Sequence, residues 1–267
     1  MTAPLLLRFS FVGWITFLVA LPVAVLIGKG IAAGPLPFWQ AISAPAAVDA
    51  ILLSLGTAAI ATGVNTLAGT GIAWALVRWE FPGRRLLWAL VDLPLSVPTL
   101  VAGMLILALF GPQTPLGHLL VEADLPVAYA RPGIVLALLF VTLPFAVRAV
   151  EPVLEELDQA EEEAAETLGA SPWITFHKVL LPPILPAMAA GALQTFARSV
   201  AEFGSLSVVS GNIPGQTLVS PVYILGEIEG GNPQGAAAVS LVLLALALVL
   251  QPLAGRLAKR AGGRHAA

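Results

Sequence analysis

Apolar residues fill most of this chain in long blocks, and a short polar or charged segment separates each block from the next. Six blocks approach the length of a membrane span, covering roughly residues 11–27, 51–77, 86–110, 133–147, 184–209 and 236–250. A helix needs about 20 mostly apolar residues to cross the roughly 30 Å of hydrocarbon in a bilayer. Strands of a membrane barrel would alternate polar and apolar residues, which these blocks do not. The pattern therefore predicts an all-α, polytopic bundle of six transmembrane helices.

The lengths of the blocks also predict where the bundle departs from straight helices. The second, third and fifth blocks exceed one span, so we expect them to tilt or break. Asp92 lies in the third block near Pro94 and Pro98, and the two prolines predict a bent or broken span. We expect Asp92 to have a structural role there. Close helix packing is expected at the glycines of the second block, which are Gly56, Gly63, Gly69 and Gly71.

The composition supports an integral membrane protein and narrows its chemistry. Of 267 residues, 58% are hydrophobic and only 11% are charged, whereas about 25% are charged in soluble domains. The sequence contains no cysteine, which excludes disulfides, thiolate nucleophiles and cysteine-bound metals.

The basic residues predict the orientation, because lysine and arginine accumulate in cytoplasmic loops. With a cytoplasmic N-terminus, Lys29 and Arg131 fall outside and Arg198 lies within the fifth block. The other ten of the 13 basic residues then fall inside, and they are Arg8, Arg78, Arg84, Arg85, Arg148, Lys178, Arg256, Lys259, Arg260 and Arg264. The distribution therefore predicts that both termini are cytoplasmic and that the loops at 112–131 and 212–234 face the other side.

The segment between the fourth and fifth blocks is charged and has helical periodicity. Eight acidic residues lie within 151–166. An apolar stripe at helical spacing is expected to pack on the bundle, and it consists of Val150, Val153, Leu154, Leu157, Ala164, Ala165 and Leu168. Gly169 is expected to end this helix in a left-handed conformation, and Ser171 to cap a second helix that begins at Pro172.

The second short helix suggests a purpose for the segment. It carries Trp173 and Phe176 and is expected to end before Pro182, because proline interrupts a helix. One interpretation is a solvated linker between two spans. The other is a docking surface, since a linker does not require an aromatic knob.

The order Glu163-Ala164-Ala165, three residues, Gly169, nine residues, Val179, one residue, Leu181-Pro182 resembles the EAA loop of ABC importer permeases, with Val179 in place of isoleucine. The resemblance implies a type I ABC importer permease-like fold, a single permease domain over residues 1–267, and a cytoplasmic coupling loop at 149–182 that docks on an ATP-hydrolysing subunit. The coupling residues that it implies are Glu163, Ala164, Ala165, Gly169, Ser171, Trp173, Phe176, Leu181 and Pro182.

Residues 74–103, 140–158 and 196–217 are similar to permeases of the sulfate group, and the whole resemblance runs from about residue 50 to the end. It implies an inner-membrane subunit that moves sulfate or thiosulfate by alternating access. Molybdate or tungstate is the alternative, because the stretch GNIPGQT also resembles the corresponding stretch of molybdate permeases. The implied partners are a pair of ATP-binding subunits holding ATP and Mg²⁺, a second and different permease chain, and an extracytoplasmic solute-binding protein. No cofactor in this chain and no nucleic-acid partner are expected.

Arg198 and Glu202 lie four residues apart on one face of the fifth block. Charges inside a membrane mark either a structural pair or a transport pathway. Both interpretations stay open, and a path or gate would include Arg198, Glu202, Ser210 and Asn212.

Two other classes of function compete with a transporter. An intramembrane enzyme would need paired acids or a ligand cluster, but Asp92 and Glu202 are isolated in the sequence and His-Glu-x-x-His and P-loop motifs are absent. A membrane scaffold would use the acidic segment only to recruit a soluble partner.

Overall fold

In a computed structural model that describes residues 3–32 and 34–262, every regular element of those residues is a helix. In chain order they are α1 (Ala3–Ile31), α2 (Pro35–Ser43), α3 (Pro45–Arg78), α4 (Arg84–Ser96), α5 (Thr99–Phe110), α6 (Pro115–Glu122), α7 (Arg131–Glu156), α8 (Gln159–Thr167), α9 (Pro172–Thr175), a π-helical turn (Phe176–Leu180), α10 (Leu181–Val200), α11 (Gly204–Val209), α12 (Ser220–Glu229) and α13 (Pro233–Gly262). Arg264, which is predicted to be cytoplasmic, lies outside the described residues.

The predicted helical membrane bundle is confirmed. Among the described residues, five helices are long and apolar enough to cross a membrane: Phe9–Ile31, Pro45–Arg78, Arg131–Glu156, Pro172–Val200 and Pro233–Ala258. The bent pair α4 and α5 makes a sixth span if it is counted as one. The short helices α2, α6 and α12 were not predicted, because each has ten residues or fewer and lies in a segment read as a loop.

The third block breaks as predicted, and the break is a turn of 115° between α4 and α5. Pro98 is the N-cap of α5, and the preceding Val97 is extended, with φ −87° and ψ 127°. Proline disfavours the helical conformation in the residue before it, which accounts for the position of the break. Pro94, in contrast, lies inside α4.

The predicted helix end before Pro182 is wrong. Residues Pro172–Val200 form one continuous helix through the π-helical turn. In this turn the Leu181 N–H donates to the Phe176 carbonyl, five residues back. The two prolines that follow Leu181 have no N–H to donate, and the wider turn absorbs this defect while the helical path continues.

Helices α3, α7 and α10 pack against one another and form the centre of the bundle. A core at one end includes the buried Leu76, Leu154 and Ile184. Between α3 and α7, the buried Asn65 Nδ2 donates to the Leu139 carbonyl and to Thr142 Oγ1, both at 3.0 Å. A polar side chain that is satisfied across two helices holds them in register inside a bilayer.

The expectation of close packing at four glycines is confirmed only at Gly69. A Cβ atom on Gly69 would lie 2.8 Å from the Cβ of Ala146 on α7. Nothing lies within 4 Å of the corresponding position on Gly56, Gly63 or Gly71, so the expectation is wrong there. These three glycines face grooves or the outside of the helix instead of a neighbouring backbone.

The fifth block also breaks, since α10 ends at Val200 and the short α11 begins at Gly204. The half-helices α5 and α11 then approach closely: a Cβ on Gly103 would lie 2.6 Å from the Ser205 carbonyl oxygen, and one on Gly204 would meet Thr99. The two broken spans therefore pack on each other through glycine. Helix α1, by contrast, packs mainly on α13, and the most apolar part of Phe9–Ile31 is not buried by the rest of the bundle.

Candidate functional site

The acidic segment divides between two helices, whereas the sequence predicted one. Helix α7 continues to Glu156, and its stripe from Val150 to Leu157 is buried as expected. Asp158 then begins α8 by accepting a hydrogen bond from the Ala160 N–H at 2.9 Å. This cap starts a new helix, on which Ala164 is exposed, and Leu168 after it is 88% exposed. The prediction that the whole stripe packs is therefore wrong at these two residues.

The predicted turn at Gly169 is confirmed. Gly169 has φ +82°, and its N–H donates to the Glu166 carbonyl at 2.9 Å. The Ala170 N–H donates to the Ala165 carbonyl at 3.0 Å, which completes a Schellman motif. The chain therefore leaves α8 in a fixed direction.

The predicted cap at Ser171 is also confirmed. Ser171 Oγ accepts a long hydrogen bond of 3.4 Å from the Ile174 N–H, and Pro172 is the first residue of α9. Only three residues, Leu168 to Ala170, thus separate the end of α8 from Ser171, the N-cap of α9. We call residues 158–180 the α8–α9 segment.

The two aromatic residues of this segment do not form one exposed knob. The Phe176 ring lies 5.6 Å from the Trp74 ring on α3 and anchors the segment to the bundle. Trp173 points outward and is 71% exposed, although it stacks on Phe176 at 6.2 Å and on His177 at 5.8 Å. The outward surface therefore consists of Trp173 with the exposed Leu168 and Ile174.

An ion pair that the sequence did not predict joins the α8–α9 segment to α3. Arg78 Nε lies 2.7 Å from Glu162 Oε1, with side chains only 8% and 19% exposed. Arg78 Nη2 also donates to the Leu157 carbonyl at 3.2 Å. In the sequence Arg78 indicates only the orientation, and no local signal links it to one particular acid among the eight. Glu163, the acid of the quoted motif, is exposed.

We expect Arg78→Gln to loosen α8 without unfolding the bundle. The ion pair is intermediate between an exposed and a fully buried one, so its loss should lower the free energy of local opening by about 1–2 kcal/mol. Hydrogen exchange of the α8 amides measures this opening. Arg85→Gln is the matched control, because Arg85 is exposed and forms no ion pair within the described chain. Equal exchange in both variants would contradict a clamp at Arg78.

Arg198 and Glu202 form the expected pair, with Arg198 Nη1 2.6 Å from Glu202 Oε2. The Glu202 side chain is fully buried, and its Oε1 accepts from both the N–H and the Oγ of Ser205 at 3.0 Å. The carboxylate thus joins the end of α10 to the start of α11. This geometry gives Glu202 a structural role, while Arg198 keeps a side chain that is 31% exposed.

Ser210 and Asn212 form a tight turn after α11, and their side chains make hydrogen bonds within it. Ser210 Oγ donates to Asn212 Oδ1 at 2.6 Å, and Asn212 Nδ2 donates to the Ser207 carbonyl at 3.0 Å. Gly211 and Asn212 both have positive φ, at +79° and +55°. The four residues predicted for a path or gate therefore lie on either side of α11. Arg198 and Glu202 come before it, and Ser210 and Asn212 follow it.

Asp92 forms a contact that fits the structural role expected for it. Arg148 on α7 donates to both carboxylate oxygens of Asp92, from Nε at 2.9 Å and from Nη2 at 2.8 Å. This bidentate geometry is the strong form of an arginine–carboxylate contact. It joins α4 to α7 beside the 115° break.

Sequence comparison places the chain among transport proteins. The model of a family described as "Binding-protein-dependent transport system inner membrane component" matches residues 65–263. The probable sulfate transport system permease protein cysT of Nephroselmis olivacea is 44% identical over 230 residues, which cover 86% of this chain and 81% of that protein. The sulfate transport system permease protein CysT of Escherichia coli (strain K12) is 41% identical over 227 residues, which cover 85% and 82%.

Solved structures share the fold. A bacterial ABC transporter involved in the import of the acidic polysaccharide alginate matches with a TM-score of 0.74 at 18% identity, over 96% of this chain and 95% of that one. The inward-facing MetNI methionine ABC transporter matches with a TM-score of 0.59 at 21% identity, over 80% and 95%. The likeness confirms the predicted permease-like bundle.

Proposed function

The chain belongs to the family of binding-protein-dependent transport system inner membrane components, and on that premise we propose that it is the permease subunit of an ATP-driven importer of sulfate. The relatives that are 36–44% identical and named as sulfate permeases support this substrate over molybdate. Thiosulfate, which has the same charge and nearly the same shape, is the closest alternative.

The exposed apolar surface of the α8–α9 segment carries the proposal. Leu168, Trp173 and Ile174 are 88%, 71% and 44% exposed on one short segment. Trp173 and Ile174 lie in the first turn of the Pro172–Val200 helix, and Leu168 lies in the connection before it, so this surface is at the end of a span. An exposed hydrophobic surface of this kind is typical of a docking site for another protein. The partner proposed here is one of a pair of ATP-hydrolysing subunits, which also hold the ATP and Mg²⁺.

The helix that bears Trp173 offers a direct mechanical route into the membrane. Pro172–Val200 is one helix, so a displacement of α9 by the ATPase is transmitted along the axis to Arg198 and the start of α11. The Arg78–Glu162 pair moves the end of α3 with the same segment. These two connections support alternating access, in which ATP binding draws the segments of two permease chains together.

The remaining partners follow from the same proposal. A second permease chain completes the path, and the sequence resemblance favours a different chain over a second copy of this one. An extracytoplasmic solute-binding protein delivers the anion to the face opposite the α8–α9 segment. An intramembrane enzyme is disfavoured, because the acids it would use, Asp92 and Glu202, are both engaged with arginine.

We expect the α8–α9 segment to be cytoplasmic and the turn at 213–217 to face outward. Since the chain has no cysteine, single cysteines can be introduced at Ala160 and at Gln216 without background. An impermeant maleimide added to intact cells should label the variant at Gln216 and spare the variant at Ala160. Labelling of inside-out vesicles should give the reverse. If intact cells label only the variant at Ala160, the orientation is wrong.

The substrate is tested by ATP-driven uptake of labelled sulfate into proteoliposomes that hold the complete complex. Unlabelled sulfate, thiosulfate and molybdate serve as competitors at equal concentration. Competition by sulfate and not by molybdate is the expected result.

A further inference from the structure

A cavity of about 800 Å³ opens between the first turns of α3 and α7, beside the turn at residues 215–218. It lies at the end of α3 opposite Arg78 and the α8–α9 segment. Two charged residues line it, Asp49 on α3 and Arg131 at the start of α7. The rest of the wall is mainly aliphatic and includes Leu52, Leu53, Ile60, Val135, Leu136 and Leu218.

Asp49 and Arg131 flank the same turn without pairing. Arg131 Nε donates to the Gln216 carbonyl at 3.0 Å, and Asp49 Oδ2 lies 3.5 Å from the position of a Cβ on Gly215. Within the described residues no ion pair joins the two, and the Asp49 carboxylate makes no hydrogen bond there. The cavity therefore presents an anion-binding group and a cation-binding group beside two adjacent residues of one turn, Gln216 and Gly215.

The depth of these charges matches a lipid headgroup. Asp49 and Arg78 lie on the same helix, and a rise of about 1.5 Å per residue separates them by about 43 Å. A bilayer with its headgroup layers measures about 40–45 Å. With Arg78 at one surface, Asp49 reaches the headgroups of the opposite leaflet, and the side chains from Leu52 to Ile60 extend into the hydrocarbon.

We propose that this cavity binds one phosphatidylethanolamine from the leaflet opposite the α8–α9 segment. The lipid phosphate contacts Arg131, the primary ammonium contacts Asp49, and one acyl chain lies along the aliphatic wall. Two carbons separate the phosphate ester from the ammonium, so a single headgroup supplies both charges. An anionic phosphatidylglycerol satisfies Arg131 alone. The site is independent of which anion the complex transports.

The test compares retention of two lipids by the complete, delipidated complex, measured by native mass spectrometry after addition of dioleoyl phosphatidylethanolamine or dioleoyl phosphatidylglycerol. The wild-type complex should retain phosphatidylethanolamine about two- to five-fold more tightly, the range that a partly solvated ion pair provides. Asp49→Asn should abolish this preference, and Arg131→Gln should weaken the binding of both lipids. Asp124→Asn is the matched control, because Asp124 is an exposed acid that does not line the cavity, and it should keep the preference.

Equal retention of the two lipids by the wild-type complex, or a preference that survives Asp49→Asn, would overturn the proposal. A photoreactive benzoylphenylalanine at Leu136 distinguishes a lipid from a protein in the cavity. A lipid adduct supports the site. An adduct with the second permease chain or with the solute-binding protein shows that a protein covers the cavity, and it refutes the lipid.

Discussion

Replacing Glu202 by glutamine is expected to lower the free energy of unfolding in detergent by about 3 kcal/mol, the lower end of the range for breaking a buried ion pair. The glutamine keeps an oxygen for the two hydrogen bonds from Ser205. The loss of stability therefore reports the removal of the negative charge and not the loss of these hydrogen bonds. Arg198 would remain beside a neutral amide in a low-dielectric site. Its 31% exposure places the expected loss at the low end, because water solvates part of the guanidinium.

The control for this loss is the exposed contact His118–Glu122, which has the same four-residue spacing at 3.5 Å and is an ion pair only when His118 is protonated. Glu122→Gln should leave the thermal midpoint almost unchanged, because exposed pairs contribute little. The double variant Arg198→Gln/Glu202→Gln should recover most of the stability. If it recovers uptake as well, the pair is only structural; if folding recovers while uptake stays low, Arg198 contributes to the anion path. A Glu202→Gln variant as stable as the wild type would contradict the buried pair.

Replacing Trp173 by alanine is expected to weaken association with the ATPase subunit by about 2 kcal/mol or more, which is roughly a 30-fold loss of affinity. Large aromatic residues at the centre of an interface contribute this much, and Trp173 is exposed while its neighbour Phe176 holds the helix in place. The bundle should remain folded, since Trp173 does not line the core. Co-purification and titration of the ATPase against the detergent-solubilised permease measure the loss.

Trp39→Ala is the matched control for this effect. Trp39 is 64% exposed on α2, on the far side of the bundle from the α8–α9 segment. Its removal deletes the same aromatic area and should leave ATPase binding unchanged. An equal loss in both variants would mean that membrane packing is responsible. No loss in either would remove Trp173 from the docking surface.

Much of the fold and the turn within the α8–α9 segment could be predicted, because their signals are local. Each apolar block predicts a span by its own length and composition. Pro98 disfavours a helical conformation in the residue directly before it. Gly169 and Ser171 satisfy backbone groups within five residues of themselves. Helix caps, turns and proline breaks of this kind depend on a few consecutive residues, so a single sequence is enough to predict them.

What the sequence did not predict depends on partners that are distant along the chain. Arg78 selects Glu162 because the end of α3 and the start of α8 meet in space. Phe176 faces inward because its ring packs against Trp74 on α3, and this leaves Trp173 facing outward. In the same way, Gly69 is the one glycine of its block that meets α7, since helix rotation is set by packing.

Uptake of labelled sulfate into proteoliposomes shows directly whether this chain is the permease subunit of an ATP-driven sulfate importer. The liposomes hold both permease chains and the ATPase pair, with ATP trapped inside and the solute-binding protein outside. We expect sulfate accumulation that requires both ATP and the binding protein, resists excess molybdate and falls when Trp173→Ala replaces the wild-type chain. An intact complex that accumulates no sulfate with ATP, or one whose uptake is blocked by molybdate and not by unlabelled sulfate, would contradict it.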